Sequence, residues 1–386
     1  MTARSAAGSG RWAWAEIDLG AVRHNIAVVR EAVAPAAVWA VVKADAYGHG
    51  AVPVARAAIE AGATGLCVAL VTEGVELRRA GIEVPILLLS EQPPGQLDDV
   101  VRHRLISTVY TAAHVDALIA AHAAVLAAAH STDHEPHSVH LKIDTGMHRV
   151  GCAPAEAVAL ATRIVGSTCL ELGGVFTHLA VADAPDDPFT TLQMQRLDEV
   201  LSRLLAAGIE PPLVHAANSA GALAHPLARR SMVRVGIAAY GIVPGPGVAG
   251  LCTALRPALA LRARVSFVRR LDQGEQLSYG LRHRIDRPTN VATIPIGYAD
   301  GVPRRLFEVG GEVLIGGRRR RILGVVTMDQ VMVDVGDDPV QIGDDVVLIG
   351  EQGAGRITAE EWAERLGTVG YEMVCGISRR IERRYD

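Results

Sequence analysis

Lysine is nearly absent from this sequence. Of the 38 basic residues only Lys43 and Lys142 are lysines, and all the others are arginine. A guanidinium stays protonated at every accessible pH, whereas a lysine amine can lose its proton, attack a carbonyl carbon or form a carbamate. The two lysines are therefore candidates for amine chemistry, and their sequence neighbourhoods decide between that role and a surface role.

Cysteine is also scarce, and long apolar runs are missing. The five cysteines lie far apart, without the paired spacing of a disulfide framework, which indicates reduced thiols in a reducing compartment. Residues 1–11 contain no apolar stretch of the signal-peptide type, and no later run of about twenty residues is free of charges and helix breakers. We therefore expect a cytoplasmic protein that does not span a membrane.

The chain has no excess charge of one sign. Its 42 acidic and 38 basic residues give a net charge of −4, which argues against a nucleic-acid footprint over the whole molecule. The basic run from Arg318 to Arg321 follows two glycines and precedes an apolar strand, as in a solvated hairpin arm. We expect no nucleic-acid partner.

Histidine is concentrated in one stretch, at His130, His134, His137 and His140. Serine, aspartate, glutamate and proline residues lie between these histidines, in a segment that joins a predicted helix to a predicted strand. We interpret the stretch as a surface loop and predict no metal site.

Apolar residues make up 49% of the 386 residues, which is enough for two domains or for one large barrel with an addition. Short runs rich in Val, Ile and Leu alternate with longer amphipathic stretches, as in doubly covered parallel strands separated by helices. The eight short runs cover residues 38–43, 65–70, 84–89, 105–110, 139–143, 174–178, 213–217 and 232–236. Eight strand-helix units predict a TIM-type (β/α)8 barrel, and an open doubly wound sheet is the alternative that spacing leaves open.

The pattern changes after the Gly/Pro-rich residues 243–247, where alternating strands with few helices begin. We assign residues 12–245 to the α/β barrel and residues 246–386 to a mainly β domain. The strand-like stretch at 12–19 could belong to either domain. One late helix is predicted after Thr358, because Glu361 stands at the spacing of a capping box.

Lys43 ends the first predicted barrel strand, and barrel enzymes build their active sites at the carboxyl ends of the strands. The apolar residues 38–42 before it favour partial desolvation, which lowers the pKa of a lysine and suits a nucleophile. The residues after it, from Ala44 to Gly50, combine glycines with Tyr47 and His49, a composition suited to surrounding a ligand.

The segment from Ala40 to Gly50 resembles the pyridoxal-phosphate signature of the alanine racemases. The resemblance runs through the chain in further motifs, at residues 140–151, 215–219, 234–241, 278–280 and 297–301. It implies an N-terminal (β/α)8 barrel followed by a β domain, pyridoxal 5'-phosphate as cofactor, and interconversion of L- and D-alanine for peptidoglycan synthesis. The cofactor supplies an electron sink, and the protein must place one base on each side of the α-carbon.

The resemblance implies that Lys43 forms the Schiff base with the cofactor and also removes the α-proton of the D-enantiomer. Tyr279 is implied as the opposite base, acting on the L-enantiomer. Since these residues lie in different domains, the family uses a head-to-tail homodimer in which the tyrosine of one subunit enters the barrel mouth of the other.

The remaining cofactor contacts are also implied by the resemblance. Arg234 matches the arginine that faces the pyridine nitrogen, and His215 matches the residue that hydrogen-bonds this arginine. A guanidinium at that nitrogen leaves it unprotonated, which weakens the electron sink and disfavours transamination. The other matched cofactor-binding positions are the phosphate ligands Ser219, Gly236 and Ile237, the phosphate-contacting tyrosines Tyr47 and Tyr371, the ring-packing His178, and Asn218 beside Ser219.

The resemblance also implies which residues contact the substrate. Arg149 matches an arginine that binds the substrate carboxylate, and Lys142 matches a lysine that is carbamylated in several members and orients that arginine. Met328 and Asp329 match a pair contributed by the partner subunit, although residue 327 is threonine where some members have cysteine. Tyr298 and Arg304, together with Tyr371, match the substrate entry gate.

Three alternatives remain. A racemase of another small amino acid, such as serine, would keep every motif. A related barrel-type decarboxylase would lack the Tyr279 motif and place an acidic residue where Arg234 stands. A non-catalytic pyridoxal-phosphate carrier would be a single barrel without the β domain.

Overall fold

The computed structural model describes residues 10–129 and 135–386. The chain divides into two compact units, of which one spans residues 20–256 and the other joins the described N-terminal residues up to 19 with residues 257–386. The first strand, β1 (Ala13–Ile17), pairs with two strands of the C-terminal segment. It therefore belongs to the β unit, and this differs from the boundary at residue 12 predicted for the barrel.

The first unit is a parallel barrel built from eight strands. They are β2 (Ala37–Val41), β3 (Gly65–Val68), β4 (Ile86–Leu88), β5 (Ser107–Val109), β6 (His137–Lys142), β7 (Leu170–Phe176), β8 (Val214–His215) and β9 (Met232–Val235). Each matches one of the eight predicted apolar runs. Nearly all of their residues are buried, because helices cover the outside and side chains fill the interior.

Strand pairing closes the barrel. Strands β4, β3, β2 and β9 form one parallel group, and β5 to β8 form the other. A parallel bridge between Leu87 and Ile106 joins the groups on one side. On the other side, the Ser231 amide donates to the carbonyl of Val214 in β8, and the Arg234 amide donates to that of Ala217 just after β8, both at 3.0 Å. A closed (β/α)8 barrel is thus confirmed over the open sheet.

Helices separate the strands, as predicted. The helices of this unit are α1 (Leu19–Val33), α2 (Ala51–Glu60), α3 (Val71–Arg79), α4 (Leu97–Arg102), α5 (Ala112–Ala129), α6 (Ala157–Val165), α7 (Phe189–Ala206) and α8 (Ser219–Ala224). Their buried residues recur at helical spacing, for example Leu197, Val200 and Leu204 on α7. This places one apolar stripe of each long helix against the barrel.

Helix α5 is long and apolar enough to cross a membrane by length and composition. Its Val115 and Leu118 are fully buried in the barrel unit. On its other face, Asp116 accepts a hydrogen bond from Arg163 of α6 at 2.7 Å. Packing on one side and an ion pair on the other are features of an outer barrel helix.

The second unit is a β domain with one ten-stranded sheet. Its main path runs in the order β11-β14-β17-β16-β15-β18-β10-β1-β20, with β19 paired to β18. The strands are β10 (Leu259–Arg264), β11 (Phe267–Leu271), β14 (Thr289–Ile294), β15 (Glu312–Ile315), β16 (Arg318–Leu323), β17 (Val331–Gly336), β18 (Asp345–Gln352), β19 (Gly355–Ile357) and β20 (Glu382–Tyr385), beside a separate hairpin of β12 (Gln276–Leu277) and β13 (His283–Arg284).

Two short helices, α9 (Ala359–Leu366) and α10 (Gly370–Cys375), complete this unit. The predicted cap of α9 is confirmed, because the Thr358 side chain accepts the Glu361 amide at 3.1 Å. Glu361 also binds Arg319 of the basic run at 2.7 Å, so part of that run is paired within the protein.

Candidate active site

Lys43 lies just beyond strand β2, at the carboxyl end of the barrel, and is half-buried. Burial and nearby cations lower the pKa values of Lys142 and His178, and Lys43 is one of those cations in both cases. The two lysines of the sequence therefore lie close to each other, at the end of the barrel where barrel enzymes have their active sites.

The backbone after Lys43 forms a left-handed helical turn. Ala44, Asp45, Ala46 and Tyr47 have φ values of 52–54° and ψ values of 39–51°. This conformation costs an L-residue about 1–2 kcal/mol, and it normally occurs at single residues. Four successive residues without a glycine among them indicate that the surrounding structure holds the turn.

Arg234, on strand β9, is buried and surrounded by neutral acceptors. Its Nη1 donates to Nδ1 of His215 at 2.6 Å, and its Nη2 donates to the carbonyls of Thr177 and Ala216 at 2.9 and 3.0 Å. Nδ1 of His178 lies 3.3 Å from Nη2. Burial lowers the pKa of Arg234 to about 10, so the guanidinium stays charged at neutral pH.

Two histidines form a chain behind this guanidinium. His215 must carry its proton on Nε2, because its Nδ1 accepts from Arg234, and Nε2 then donates to Nδ1 of His140 at 2.9 Å. Burial and the Arg234 charge hold the pKa of His140 at about 3 and that of His215 well below its usual range. Neutral imidazoles thus fix the orientation of the arginine, while the Phe176 ring stacks on His215 at 4.5 Å.

Lys142, on strand β6, is 4% exposed. Its Nζ donates to the carbonyl of Leu89 at 3.2 Å and lies 5.3 Å from the centre of the Phe176 ring. Burial and the charges of Arg234 and Arg149 lower its pKa to about 7. A substantial fraction of the amine is therefore neutral at physiological pH and able to act as a nucleophile.

The loops after β8 and β9 meet at Ser219. Its hydroxyl accepts the backbone amides of Gly236 and Ala238 at 3.0 and 3.3 Å. The preceding residue, Asn218, caps α8 by accepting the Gly221 amide at 2.9 Å. Amide groups, a hydroxyl and a helix start converge here, as in the phosphate sites of barrel enzymes.

Tyr47 closes the same region. A Cβ atom at Gly236 would lie only 2.6 Å from the Tyr47 hydroxyl, so glycine is required for this close approach. The Tyr47 ring lies 5.0 Å from that of Tyr240, and Ile237 next to Gly236 is buried.

The other predicted site residues lie in the β unit. Tyr279 follows β12 at the tip of the small hairpin and is 72% exposed. Its neighbours have unusual backbone conformations: Ser278 has φ 67° and ψ 177°, and Leu281 has φ 49°. The Ser278 hydroxyl donates to the Val325 carbonyl at 2.8 Å, which anchors this turn.

Met328 and Tyr298 lie on two segments that are joined by backbone hydrogen bonds. The amides of Tyr298 and Ala299 donate to the carbonyls of Thr327 and Met328 at 2.9 and 3.1 Å. The Thr327 hydroxyl accepts the amide of Gln330 at 3.1 Å. A threonine at 327 thus closes the turn that presents Met328, which is 52% exposed.

A buried carboxylate supports these segments. Asp300 is fully buried and accepts both terminal nitrogens of Arg11, at 2.5 and 2.7 Å, and the amide of Gly297 at 2.9 Å. Arg380 lies 3.5 Å from Asp300 and binds Asp329 at 2.6 Å. Of the other two predicted residues in this unit, Arg304 is exposed in the turn 304–307 and Tyr371 is half-buried in α10.

The structure corrects the interpretation of the histidine stretch. His137 and His140 are buried in strand β6 instead of lying in a surface loop, and each is hydrogen-bonded, His137 to Ser107 at 2.9 Å. His130 and His134 lie outside the described residues. Among residues 10–129 and 135–386, no group of three or more His, Cys, Asp or Glu side chains could hold a metal ion.

The sequence interpretation also missed residues that contact the site. The contact of His140 with His215 was not predicted, although His140 lies in the predicted strand 139–143 and shares a strand face with Lys142, two residues on. The contacts of Glu73 with Ala44 and of Arg11 with Asp300 had no such signal, because each joins residues distant in the sequence.

Comparisons with known proteins agree with this arrangement. Residues 17–244 match the family described as alanine racemase, N-terminal domain, and residues 258–385 match alanine racemase, C-terminal domain. The chain is 49% identical over 373 residues to the alanine racemase of Symbiobacterium thermophilum, covering 96% of both chains. It is 42% identical over 377 residues to that of Thermobifida fusca, covering 97% of this chain and 98% of that protein.

Solved structures give the same result. The alanine racemase from D-cycloserine-producing Streptomyces lavendulae is similar with a TM-score of 0.90, 37% identity and 98% of both chains covered. The alanine racemase from Bacillus anthracis with bound L-Ala-P has a TM-score of 0.90 and 38% identity, covering 98% of this chain and 96% of that one. With both domains matched and relatives of this similarity over nearly the whole length, the chain belongs to the alanine racemase family.

Proposed function

We propose that this enzyme interconverts L- and D-alanine with pyridoxal 5'-phosphate, in the cytoplasm, and supplies D-alanine for peptidoglycan. Full-length membership of the alanine racemase family carries the proposal. The barrel mouth supports it, because Lys43 lies near a buried guanidinium whose partners are neutral.

The residues at the barrel mouth fit the proposed cofactor. Burial, and then the charges of Arg234, Arg149, Lys142 and Lys43, lower the pKa of His178. These four side chains therefore form a cluster of positive charge that an anionic ligand would stabilise. The Tyr47 hydroxyl approaches Gly236 closely where only a glycine fits, and the Gly236 amide and Ser219 hydroxyl meet beside it, which supports a phosphate site at these groups. Ser219, the amides of Gly236 and Ile237, Asn218, Tyr47 and Tyr371 are the proposed phosphate contacts.

When bound, the cofactor supplies an electron sink for the bond that is broken at the α-carbon. Arg234, which has donors and no acceptor, would face the pyridine nitrogen and favour its unprotonated form. His215 and His140 hold Arg234 in position, and His178 would pack on the cofactor ring. Arg149 binds the substrate carboxylate, and Lys142 orients Arg149.

The protons are moved by two groups. Nζ of Lys43 removes the α-proton of the D-enantiomer and returns one to that face. Oη of Tyr279 does the same for the L-enantiomer. Racemisation by two bases requires one such group on each side of the α-carbon.

We infer a head-to-tail homodimer in which the partner's Tyr279, Met328 and Asp329 complete the site. In support, Tyr279 and Met328 are 72% and 52% exposed and lie in the β unit, whereas Lys43 lies in the barrel unit. Tyr298, Tyr371 and Arg304 form the proposed entry gate, and a narrow gate suits a small substrate.

A racemisation assay over a panel of L-amino acids tests which amino acid is the substrate. We expect alanine to exceed serine in kcat/KM by about 10- to 100-fold, the range that a small pocket can achieve against one added hydroxyl. An equal or greater rate with serine would identify a serine racemase, and release of CO2 would identify a decarboxylase.

Tyr279→Phe tests the second base. The loss of a positioned proton-transfer group costs about 10²–10⁴-fold in rate. We expect exchange of the α-proton of L-alanine in D₂O to fall by this factor, while the cofactor absorption band and borohydride trapping on Lys43 are retained. Unchanged exchange from L-alanine would show that Tyr279 is not the second base. Tyr385→Phe, at an exposed tyrosine of strand β20 outside the proposed site, is the matched control.

Complementation tests the shared site. A Lys43→Ala chain and a Tyr279→Phe chain are each expected to be inactive, whereas their heterodimer contains one site with both bases intact. Mixing should therefore restore activity up to one site per heterodimer. No recovery, despite heterodimers proven by mass spectrometry, would contradict a site built from two subunits.

Lys142 is proposed to be carbamylated. Its neutral amine attacks the carbon of CO2, a nitrogen–carbon bond forms and one proton leaves to solvent, giving an anion that pairs with Arg149. Since the pKa of Lys142 is about 7, a ¹³C-carbamate NMR signal should rise as the pH increases through 7 and should vanish below it. Lys142→Arg should abolish the signal and Lys43→Arg should retain it, so a signal that survives Lys142→Arg would refute the modification.

A further inference from the structure

Left-handed turns of several residues need support, and the turn from Ala44 to Tyr47 receives part of it locally. The Ala46 amide donates to the Val42 carbonyl at 2.9 Å, and the Gly50 amide donates to the Asp45 carbonyl at 2.9 Å. The Asp45 carboxylate accepts the amide of Ala51 at 2.8 Å. These bonds close the turn on itself, but none of them fixes it to the rest of the barrel.

Glu73 provides the link to the barrel. Its Oε1 accepts the Ala44 amide at 2.6 Å, across 29 positions of sequence. Its Oε2 accepts the amides of Ala69 and Leu70 at 2.8 and 3.0 Å. One half-buried carboxylate therefore joins the backbone after β2 to the backbone after β3 through three charge-assisted hydrogen bonds.

The two oxygens of Glu73 serve different purposes. The bonds of Oε2 are those of an ordinary glutamate in the first turn of a helix, since Ala69 and Leu70 directly precede α3. The bond of Oε1 has no part in the helix. It holds the first amide of the left-handed turn, immediately after Lys43.

We propose that Glu73 is a positioning residue for Lys43. By fixing the Ala44 amide, its carboxylate keeps the strained turn from relaxing and so holds the Lys43 backbone where its amine can reach the cofactor and the α-carbon. The inference rests on the proposed role of Lys43. Glu73, a residue of helix α3, would then position the reactive lysine that follows strand β2.

The experiment compares Glu73→Gln and Glu73→Ala with Glu76→Gln, an exposed glutamate on the same helix. The readouts are the rate of borohydride trapping of pyridoxal phosphate on Lys43, measured in the folded protein, and kcat in both directions. A displacement of about 1 Å at a reacting group can cost about 100-fold. We expect Glu73→Ala to slow trapping and both values of kcat by about 10- to 100-fold, with Glu76→Gln unchanged.

A second substitution separates positioning from general stability. Ala44→Gly removes the Cβ that makes the left-handed conformation costly and keeps the amide. In the Glu73→Ala background it should restore trapping at least several-fold, whereas a loss caused by an uncapped α3 would not respond. Glu73→Gln, which keeps one acceptor oxygen, is the variant to use if Glu73→Ala does not fold.

Unchanged trapping in both Glu73 variants, or no recovery with Ala44→Gly, would overturn the proposal. Failure of the underlying assignment has a different signature. If Lys43 is not the residue that binds the cofactor, the label will appear on another residue already in the unchanged protein.

Discussion

The buried guanidinium of Arg234 is the constraint on which the site depends. A charge taken out of water needs partners, and here the described partners are two backbone carbonyls and two imidazoles. Those imidazoles can accept only while they remain neutral, and burial together with the arginine charge keeps them so. Three neighbouring strands, β7 to β9, must therefore keep their register for the hydrogen bonds of this one side chain to form.

The two proposed bases share a second feature, which is strained backbone beside the reacting side chain. Lys43 is followed by four left-handed residues, and Tyr279 is preceded by Ser278 at φ 67° and ψ 177°, a region used almost only by glycine. Each conformation is anchored by a side-chain hydrogen bond, to the Glu73 carboxylate of α3 in one case and from the Ser278 hydroxyl in the other. Strained backbone of this kind restricts the orientation of the side chain beside it. The rest of the fold must offset the free-energy cost of the strain.

Much of the fold could be predicted from local patterns. The eight barrel strands and the cap at Thr358 depend on residues close in sequence, so periodicity and spacing were sufficient. Strand β1 was ambiguous because alternation predicts a strand but not its partner. The contact from Glu73 to Ala44 could not be predicted, because alanines give no signal for a left-handed turn. His140 falls both in the predicted strand 139–143 and in the histidine stretch interpreted as a loop, and the structure confirms the strand.

The two units bury charge in opposite ways. In the β unit the buried charge is the anion of Asp300, bound by both nitrogens of Arg11 and an amide, which leaves it suited to holding segments together. In the barrel the buried charges are the cations of Arg234 and Lys142, which lie among neutral acceptors. Each cation raises the free-energy cost of burying the other. Only an anion would reduce the electrostatic repulsion between these cations. A phosphorylated cofactor, a substrate carboxylate and a carbamate on Lys142 would each supply one, so binding and modification would stabilise the same charges that make the site reactive.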